Sequence, residues 1–390
     1  MKVHAVYMGV LFLVLATIFH VSASAQEAKQ PLEPIAASAN GFDQGGCASD
    51  AIGDKTCCVS TCCACPRTYG YAEILFLERD NSSYRQPLLV ETVQGNPGAP
   101  LFSTSDLDFD FDPALRIVVG RRLCNGWAIE GGYFGLCDAS TAELVAPAAG
   151  TNVAFPGGLV ASNVFGDPDR VWNDYSSSLH SGELNLVHCC GCCSTCESGK
   201  GDDGCKDDCG GCNLSCRTCE WFVGFRYFNL RERLRVYGER DQTTGGATTA
   251  VESGVYDIRT SNNLYGPQAG ARVRRWGQRL GWEAGAKAGI FGIDAQQEQS
   301  IIDYDRFPLR PLTSASDDQV AFVGELSLTG IYRLNHVWNL RAGYNLIWIE
   351  GVALAPDQLD FDATLPSGDR LSSDGSIFLH GVSLGVEGRW

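Results

Sequence analysis

The chain has 390 residues and a formal net charge of −16. That acidic excess excludes a nucleic-acid partner held through its phosphates, because such binding needs clustered Lys and Arg. With 45 glycines, eight Trp, 13 Tyr and only two Met, the composition favours β-structure with many turns over helices. Beyond the first 25 residues no apolar run approaches the ~20 residues that a membrane-spanning helix needs.

Residues 1–25 have the pattern of a secretory signal peptide. Lys2 precedes an apolar stretch over about residues 5–19, and the small residues Ala23 and Ala25 stand where signal peptidase requires them. The pattern predicts cleavage before Gln26 and export, with an uncleaved signal anchor as the alternative. Because disulfides form in exported proteins and not in a reducing cytosol, the 18 cysteines are expected to be oxidised.

Most of the cysteines fall into two segments, one within residues 26–68 and one at 189–219. They are Cys47, Cys57, Cys58, Cys62, Cys63 and Cys65, and then Cys189, Cys190, Cys192, Cys193, Cys196, Cys205, Cys209, Cys212, Cys216 and Cys219. Disulfides within and between the segments are one interpretation. With Cys124 in a neighbouring turn their number is odd, so at least one thiol is free or joins an envelope partner or a second copy. Zinc binding is the alternative, because several pairs have CxxC spacing.

From residue 69 to residue 390, apolar and polar residues alternate in ten separate stretches. In Trp338–Trp348, for example, Trp, Leu, Ala, Tyr, Leu and Trp share one face. A period of two indicates a strand with one apolar and one polar face. The ten predicted strands are 70–78, 114–123, 126–137, 175–188, 220–228, 255–274, 281–291, 319–332, 338–348 and 376–390.

Three features favour a transmembrane barrel over a secreted, disulfide-rich β-sandwich or surface-binding protein, which would alternate in the same way. Many apolar faces begin or end in Trp or Tyr, and long connections alternate with short ones. The long ones are 80–113, 138–174, 240–254, 292–318 and 351–375. The last strand ends in aromatic Trp390, which resembles the signal that barrel-assembly machinery reads in outer-membrane proteins.

The sequence therefore predicts an all-β, up-and-down antiparallel barrel spanning residues 69–390 in the outer membrane. About ten strands are expected, with twelve as the alternative, and residues 189–219 form an insertion. An even strand number places both chain ends and both cysteine-rich segments on the periplasmic side. Outer-membrane lipid is the expected environment.

Three segments resemble a family of β-barrel porins common in planctomycetes. They are Phe222–Tyr227, Ser261–Gly270, and the run from Arg341 to Asp360. The resemblance covers roughly residues 70–390, and a pore-forming family typified by the legionella major outer-membrane protein is the nearest competitor. Both resemblances imply an outer-membrane barrel, and neither brings a catalytic residue with it.

If the large apolar residues face lipid, charged residues of opposite parity face the lumen. They are Arg116, Arg122, Arg226, Arg272, Arg274, Lys287, Arg341 and Arg389, with Glu73, Glu130, Glu183, Glu220, Glu283, Glu325 and Glu387. Such charges are expected to pair, because isolated buried charge is costly; a charge-lined solute path is the alternative. Eight strands are just filled by side chains, so ten predict a narrow pore at most.

The sequence contains candidates for two further kinds of site. Asp106, Asp108, Asp110 and Asp112 alternate along the first long connection and could bind Ca²⁺, although acidic loop runs are commonly only solvated. Apart from possible Ca²⁺ or Zn²⁺, no cofactor is expected. An outer-membrane enzyme is the least favoured alternative, because none of His180, His188, His336 and His380 forms a recognisable pair with a nucleophile.

Overall fold

The computed structural model describes residues 68–80, 86–93, 96–123, 126–147, 151–153, 163–166, 168–189, 217–244, 246–305, 307–360 and 368–390. The predicted signal peptide, the cysteines from 47 to 65 and those from 190 to 216 lie outside these residues, as does Cys124. The predicted domain boundaries therefore remain predictions.

Thirteen strands are present among the described residues. In chain order they are β1 (Thr68–Asp80), β2 (Pro87–Val93), β3 (Asn96–Ser103), β4 (Asp112–Arg122), β5 (Trp127–Val145), β6 (Thr151–Val153), β7 (Arg170–Cys189), β8 (Arg217–Thr244), β9 (Ala247–Trp276), β10 (Leu280–Asp303), β11 (Phe307–Arg333), β12 (Trp338–Val352) and β13 (Gly375–Arg389). A four-residue helix, α1 (Asn163–Gly166), precedes β7. Among the described residues, no helix is long and apolar enough to cross a membrane.

Ten of these strands form one closed antiparallel barrel, and β2, β3 and β6 form a separate small sheet. The barrel closes because β1 pairs with both β13 and β4. At one rim Thr68 and Trp390 exchange main-chain hydrogen bonds of 2.9 and 3.0 Å. The predicted ten-strand barrel is thus confirmed, and the sandwich alternative is wrong.

The outer face of the barrel carries a band of large apolar side chains. On β12, Leu340, Tyr344 and Trp348 are all more than two fifths exposed. Aromatic contacts mark both edges of the band. Near the rim that holds Thr68, the ring centroids of Trp127 and Trp221 are 5.5 Å apart, and towards the other end those of Phe322 and Trp348 are 5.8 Å apart. Such a band, bounded by aromatic girdles, is what a lipid-facing barrel surface requires.

Two of the predicted long connections are instead continuous strands. The β8–β9 ladder runs out to Thr244 and Ala247, and the β10–β11 ladder to Asp303 and Phe307, so the predicted loops at 240–254 and 292–318 are wrong. The alternation continues there with polar residues on the outer face, which suit a sheet in water. At 28 residues β8 far exceeds the ~10 that cross a bilayer. The barrel wall therefore extends well beyond the membrane.

Strand β5 is also longer than predicted and carries a β-bulge. Its pairing with β7 shifts between Leu136 and Ala139, and Asp138 has a φ of 59°. Cys137 therefore lies within the barrel wall, not at the strand end where the sequence had placed it. Cys189, by contrast, ends β7 at the rim of Thr68 and Trp390, and its N–H donates to the carbonyl of Gly126 over 3.0 Å.

An arginine introduced into the apolar band tests the membrane-facing surface. Leu326→Arg places a charge on the outer face of β11 between Phe322 and Tyr332, and we expect it to lower the free energy of unfolding by about 2–4 kcal/mol. The matched control is Ser316→Arg, which has the same outward parity on β11 but lies beyond the band. That variant should stay within about 0.5 kcal/mol of the wild type in lipid vesicles. Equal effects of the two variants would contradict the position of the band.

Candidate functional site

Inward-facing charged residues near the rim of Thr68 and Trp390 form what we call the ionic layer. Its basic members are Arg116, Arg226, Arg272, Arg274, Lys287, Arg341 and Arg389, and its acidic members are Glu73, Glu130, Glu183, Glu220, Glu283, Glu325 and Glu387. Each forms at least one ion pair with a member of opposite charge. Because successive side chains of a strand alternate between the two faces, charged residues at every second position all point inward.

Arg341 on β12 has more ion-pair partners than any other basic member of the ionic layer. Its guanidinium nitrogens lie 2.7 Å from Glu73, 2.7 Å from Glu387 and 2.9 Å from Glu283, and its side chain is only 3% exposed. Strands β1 and β10, which carry Glu73 and Glu283, are not neighbours of β12, so these contacts join strands that share no ladder. The planar guanidinium has enough donors to satisfy all three carboxylates at once.

Neighbouring arginines on β9 extend this network. Arg274 shares Glu283 and Glu387 with Arg341, at 2.5 and 2.8 Å. Arg272 contacts Glu130 at 2.6 Å and also pairs with Glu220. The Tyr69 hydroxyl donates a 2.9 Å hydrogen bond to Glu130. The carboxylates are therefore held from several strands.

A second cluster of ion pairs lies deeper in the barrel, around Glu325. Arg226 approaches it at 2.5 Å, Lys287 at 3.1 Å and Arg116 at 3.6 Å, while Lys287 also contacts Glu183 at 2.9 Å. The space left between the charged side chains is a cavity of about 70 Å³. That volume accommodates a few water molecules but no larger solute.

One predicted lumen residue does not join these ion pairs. Arg122 lies at the end of β4, with its guanidinium carbon 5.7 Å from the centroid of the Tyr69 ring. The other charged residues predicted for the lumen are brought together in the ionic layer.

Beyond the ionic layer the barrel interior is apolar. Its largest inward side chains are Phe134, Tyr175, Phe228, Tyr256 and Phe291, all part of one buried cluster. The two layers meet where the Arg226 guanidinium carbon lies 4.0 Å from the Phe228 ring centroid. A water-filled channel would expose this apolar surface at considerable cost, so the apolar layer favours a filled interior.

A chain segment that the sequence had placed in an outer loop folds into this apolar layer. Residues 352–359, here called the inserted segment, are all buried, which corrects the predicted outer loop 351–375. Gly351 allows the chain to turn inward: its φ is +84°, and a Cβ there would come within 2.9 Å of the Val320 carbonyl oxygen. Its conformation suits glycine, because φ near +80° is strained for other residues.

The inserted segment is tied to the barrel wall by hydrogen bonds to its main chain. The Asn262 side chain bonds both the N–H and the carbonyl of Ala353, each over 2.8 Å, and Glu232 accepts the Ala355 N–H over 2.9 Å. Glu232 is itself paired with Arg79 at 2.7 Å, and both side chains are almost fully buried. Tyr175 donates to Glu232 over 2.9 Å. These groups bond buried amides of a segment that, after Val352, has no ladder partner.

A second set of polar contacts surrounds Tyr256 beyond the membrane-facing band. Burial raises the pKa of Tyr256 to about 12, so the phenol stays protonated. It donates to Gln299 over 2.6 Å and accepts from Arg310 over 3.2 Å and from the Asp360 N–H over 3.3 Å. The end of the inserted segment is therefore also anchored to the wall.

Sequence reasoning missed Arg79, Glu232 and Asn262 as site residues. Glu232 lies four residues beyond the predicted end of its strand at residue 228. The alternation that predicts a strand does continue past residue 228, because Leu230, Leu234 and Val236 keep the period of two, and all three are buried. Extending the strand through that period would have placed Glu232 on the inner face.

The acidic run from Asp106 to Asp112 has a packing explanation. Leu107 and Phe109 are buried, while Asp106, Asp108 and Asp110 are exposed on the opposite side. Asp106 accepts hydrogen bonds of 2.8 Å from both the N–H and the hydroxyl of Ser103. In the part of the chain that the structure describes, no group of three or more His, Cys, Asp or Glu residues is placed to hold a metal ion.

Comparisons with known proteins point to one family. Residues 72–300 match the family described as "Putative beta barrel porin-7 (BBP7)". A comparison with curated proteins gives no match. Among solved structures, the outer membrane protease OmpT from Escherichia coli is 7% identical, with 85% of this chain and 100% of that chain covered and a TM-score of 0.45. The toluene transporter TodX from Pseudomonas putida is 10% identical, with 84% and 90% covered and a TM-score of 0.23. At these scores neither similarity carries an argument about this chain.

Removing the central cation of the ionic layer tests its structural role. Arg341→Met keeps a long side chain but leaves buried Glu73 without its closest cation and removes one cation from Glu283 and Glu387, so we expect a loss of about 3–5 kcal/mol in the free energy of unfolding. The control Arg231→Met removes an exposed arginine from the outer face of β8 and should cost less than about 0.5 kcal/mol. Denaturant unfolding in detergent micelles measures both. An Arg341 variant as stable as the control would contradict the pairing described.

Proposed function

The chain belongs to the beta barrel porin-7 family and is an outer-membrane β-barrel, and from this premise we propose that it serves as a membrane anchor with a sealed interior. The observation that carries the proposal is the inserted segment, which occupies the apolar half of the lumen while paired charges occupy the other half. Bulk diffusion of solutes is therefore not the role that we propose for this member of a porin family.

Barrel size supports a narrow path at most. Interiors of eight-stranded barrels are just filled by side chains, whereas 16–18 strands leave an aqueous channel. With ten strands this barrel is close to the filled end of that range. Arg341 and Arg226, each almost fully buried, bridge strands across the lumen, and opening a path there would separate charges that stabilise one another.

We extend the proposal to the cysteine-rich segments, which we expect to link the barrel to the envelope through disulfides. The described residues that lead into them support this placement. Thr68 ends the first segment, Cys189 begins the second and Arg217 lies near the end of the second, and all three lie at the same rim of the barrel. Short turns such as residues 277–279 are found at this rim, which is the periplasmic side in outer-membrane barrels. Disulfides persist in the oxidising periplasm.

No catalytic role is proposed. The inward carboxylates are engaged in ion pairs, and a general acid or base needs a group free to exchange its proton with a substrate.

Conductance measurements test the sealed interior. Purified protein in a planar bilayer should give small current steps or none, because the ionic layer leaves a cavity of only about 70 Å³ and the inserted segment packs in the apolar layer. A 16-stranded porin inserted under the same conditions is the positive control. Stable steps on the nanosiemens scale from a monomer would overturn the proposal.

Envelope linkage is tested separately, on a non-reducing gel of native envelopes. We expect part of the protein to migrate at higher mass and to return to the monomer position after reduction. Serine substitution of the cysteines in 189–219 should abolish the high-mass species. The matched control is Cys137→Ser, because Cys137 lies in the barrel wall away from that rim. Loss of the species in this control, or a monomer in every lane, would contradict the linkage.

A further inference from the structure

Among the described residues, the rim that holds Thr68 and Trp390 carries arginines that no carboxylate neutralises. We call them the basic rim: Arg121, Arg122, Arg275, Arg279 and Arg333. Within the described ranges none of them forms an ion pair, in contrast to the arginines of the ionic layer just above. Arg121, Arg275 and Arg279 are exposed. Five cations without an ion pair in the described part of the chain thus lie at one end of a protein whose net charge is −16.

Acidic residues are missing from the strand ends and turns that carry the basic rim. Residues 121–123, 273–282 and 333–338 contain neither Asp nor Glu. The described carboxylates of Glu220 and Glu387, which lie near this end of β8 and β13, point into the lumen and are already paired with Arg272 and with Arg274, Arg341 and Arg389. The β10–β11 hairpin at the opposite end is acidic, with Asp303, Asp305, Asp317 and Asp318. The charge is thus polarised along the barrel axis.

The basic rim lies at the level of the aromatic girdle. Arg275 pairs directly with Trp282 across the β9–β10 ladder, and Trp282 is exposed on the outer face. Trp221 and Trp390 are likewise exposed at this rim. Indole rings prefer the boundary between acyl chains and headgroups, so the neighbouring guanidinium groups lie at the depth of lipid phosphates.

Arg333 is held at the mouth of the barrel by an aromatic ring. Its guanidinium carbon lies 4.7 Å from the centroid of the Trp276 ring, and Trp276 is itself buried. The Arg333 N–H also bonds the carbonyl of Arg279 over 2.8 Å, which joins the two turns that carry them. A cation–π contact orients a guanidinium without cancelling its charge, so Arg333 remains able to bind an anion.

We propose that the basic rim binds the phosphate groups of anionic phospholipids in the periplasmic leaflet. A guanidinium can donate two parallel hydrogen bonds to phosphate, and it is less strongly hydrated than an ammonium group. Basic residues beside a membrane are attracted to anionic headgroups within about a Debye length. The lipid supplies the counter-charge that the carboxylates of the described residues do not.

Intrinsic fluorescence provides a local readout of lipid binding. Of the eight tryptophans, those near this rim are Trp127, Trp221, Trp276, Trp282, Trp338 and Trp390. The full chain is reconstituted in vesicles in which a fixed fraction of lipid carries brominated acyl chains, on either phosphatidylglycerol or phosphatidylcholine. If brominated phosphatidylglycerol quenches the tryptophan fluorescence more strongly than brominated phosphatidylcholine, the ratio of the two measures the preference for the anionic lipid. Raising the salt concentration should lower this preference.

The test variant is Arg275→Gln with Arg279→Gln. Each arginine removed should lower the preference by up to about fivefold. The matched control is Arg231→Gln with Arg259→Gln, which removes the same charge from the outer face of β8 and β9 beyond the apolar band and should leave the preference unchanged. Heat-modifiable migration in SDS gels confirms that every variant is folded.

Three results would overturn the proposal. Equal quenching by the two brominated lipids in the wild type would mean that the basic rim is bare or is covered by something other than lipid, such as an acidic segment of the same chain. An unchanged preference in the test variant would mean that the anionic lipid binds at other residues. An equal loss in the control would show an effect of net charge alone.

Discussion

A chain that crosses a bilayer as strands must satisfy every main-chain amide within its own sheet, because lipid offers no hydrogen-bonding partner. Closure of the ladder by β1, which pairs with both β13 and β4, meets that requirement here. Closure also separates the side chains into two populations, because the strand period of two sends alternate residues inward and outward. The lipid-facing band, the ionic layer and the apolar layer all follow from this division.

Inside the barrel the same constraint acts on charge. Side chains that point inward are shielded from bulk water, so a carboxylate such as Glu283 is stable only with a partner, and it has two in Arg274 and Arg341. These partners come from strands that are not all neighbours. The ion pairs therefore brace the barrel across its lumen, in addition to the ladders that hold adjacent strands. A barrel braced in this way is mechanically suited to anchoring and poorly suited to bulk flow.

Extension of the wall beyond the membrane creates a second requirement. On the inner face of β8, Leu230, Leu234 and Val236 would be exposed to water if the part of the barrel beyond the membrane were empty. The inserted segment covers such residues, and Asn262 and Glu232 bond the amides that it brings into the interior. Burying main-chain groups without a ladder is costly unless side chains take their place. Polar residues in an otherwise apolar layer are the consequence.

Charge is distributed unevenly along the axis of the molecule. Arginines of the basic rim stand beside exposed tryptophans, and carboxylates gather on the β10–β11 hairpin at the other end. The two ends therefore present different chemistry to their surroundings although the wall between them is one continuous sheet. An asymmetric bilayer can use that difference to hold the barrel at one depth and in one orientation.

The sequence by itself determined the ten strands, the lipid-facing parity and every member of the ionic layer, because a period of two is a local property that neighbouring residues reveal. It underestimated the lengths of β8 to β11, since their outer faces become polar beyond the lipid and the apolar signal fades although the pairing continues. Only the tertiary structure decided which charges meet. Arg341 and Glu73 are 268 positions apart, and Arg122 shares their parity yet stacks on Tyr69. The sequence could not predict the inserted segment either, because its burial depends on tertiary structure. Residues 352–359 have the local pattern of a loop, and the cavity that buries them exists only once the barrel has closed.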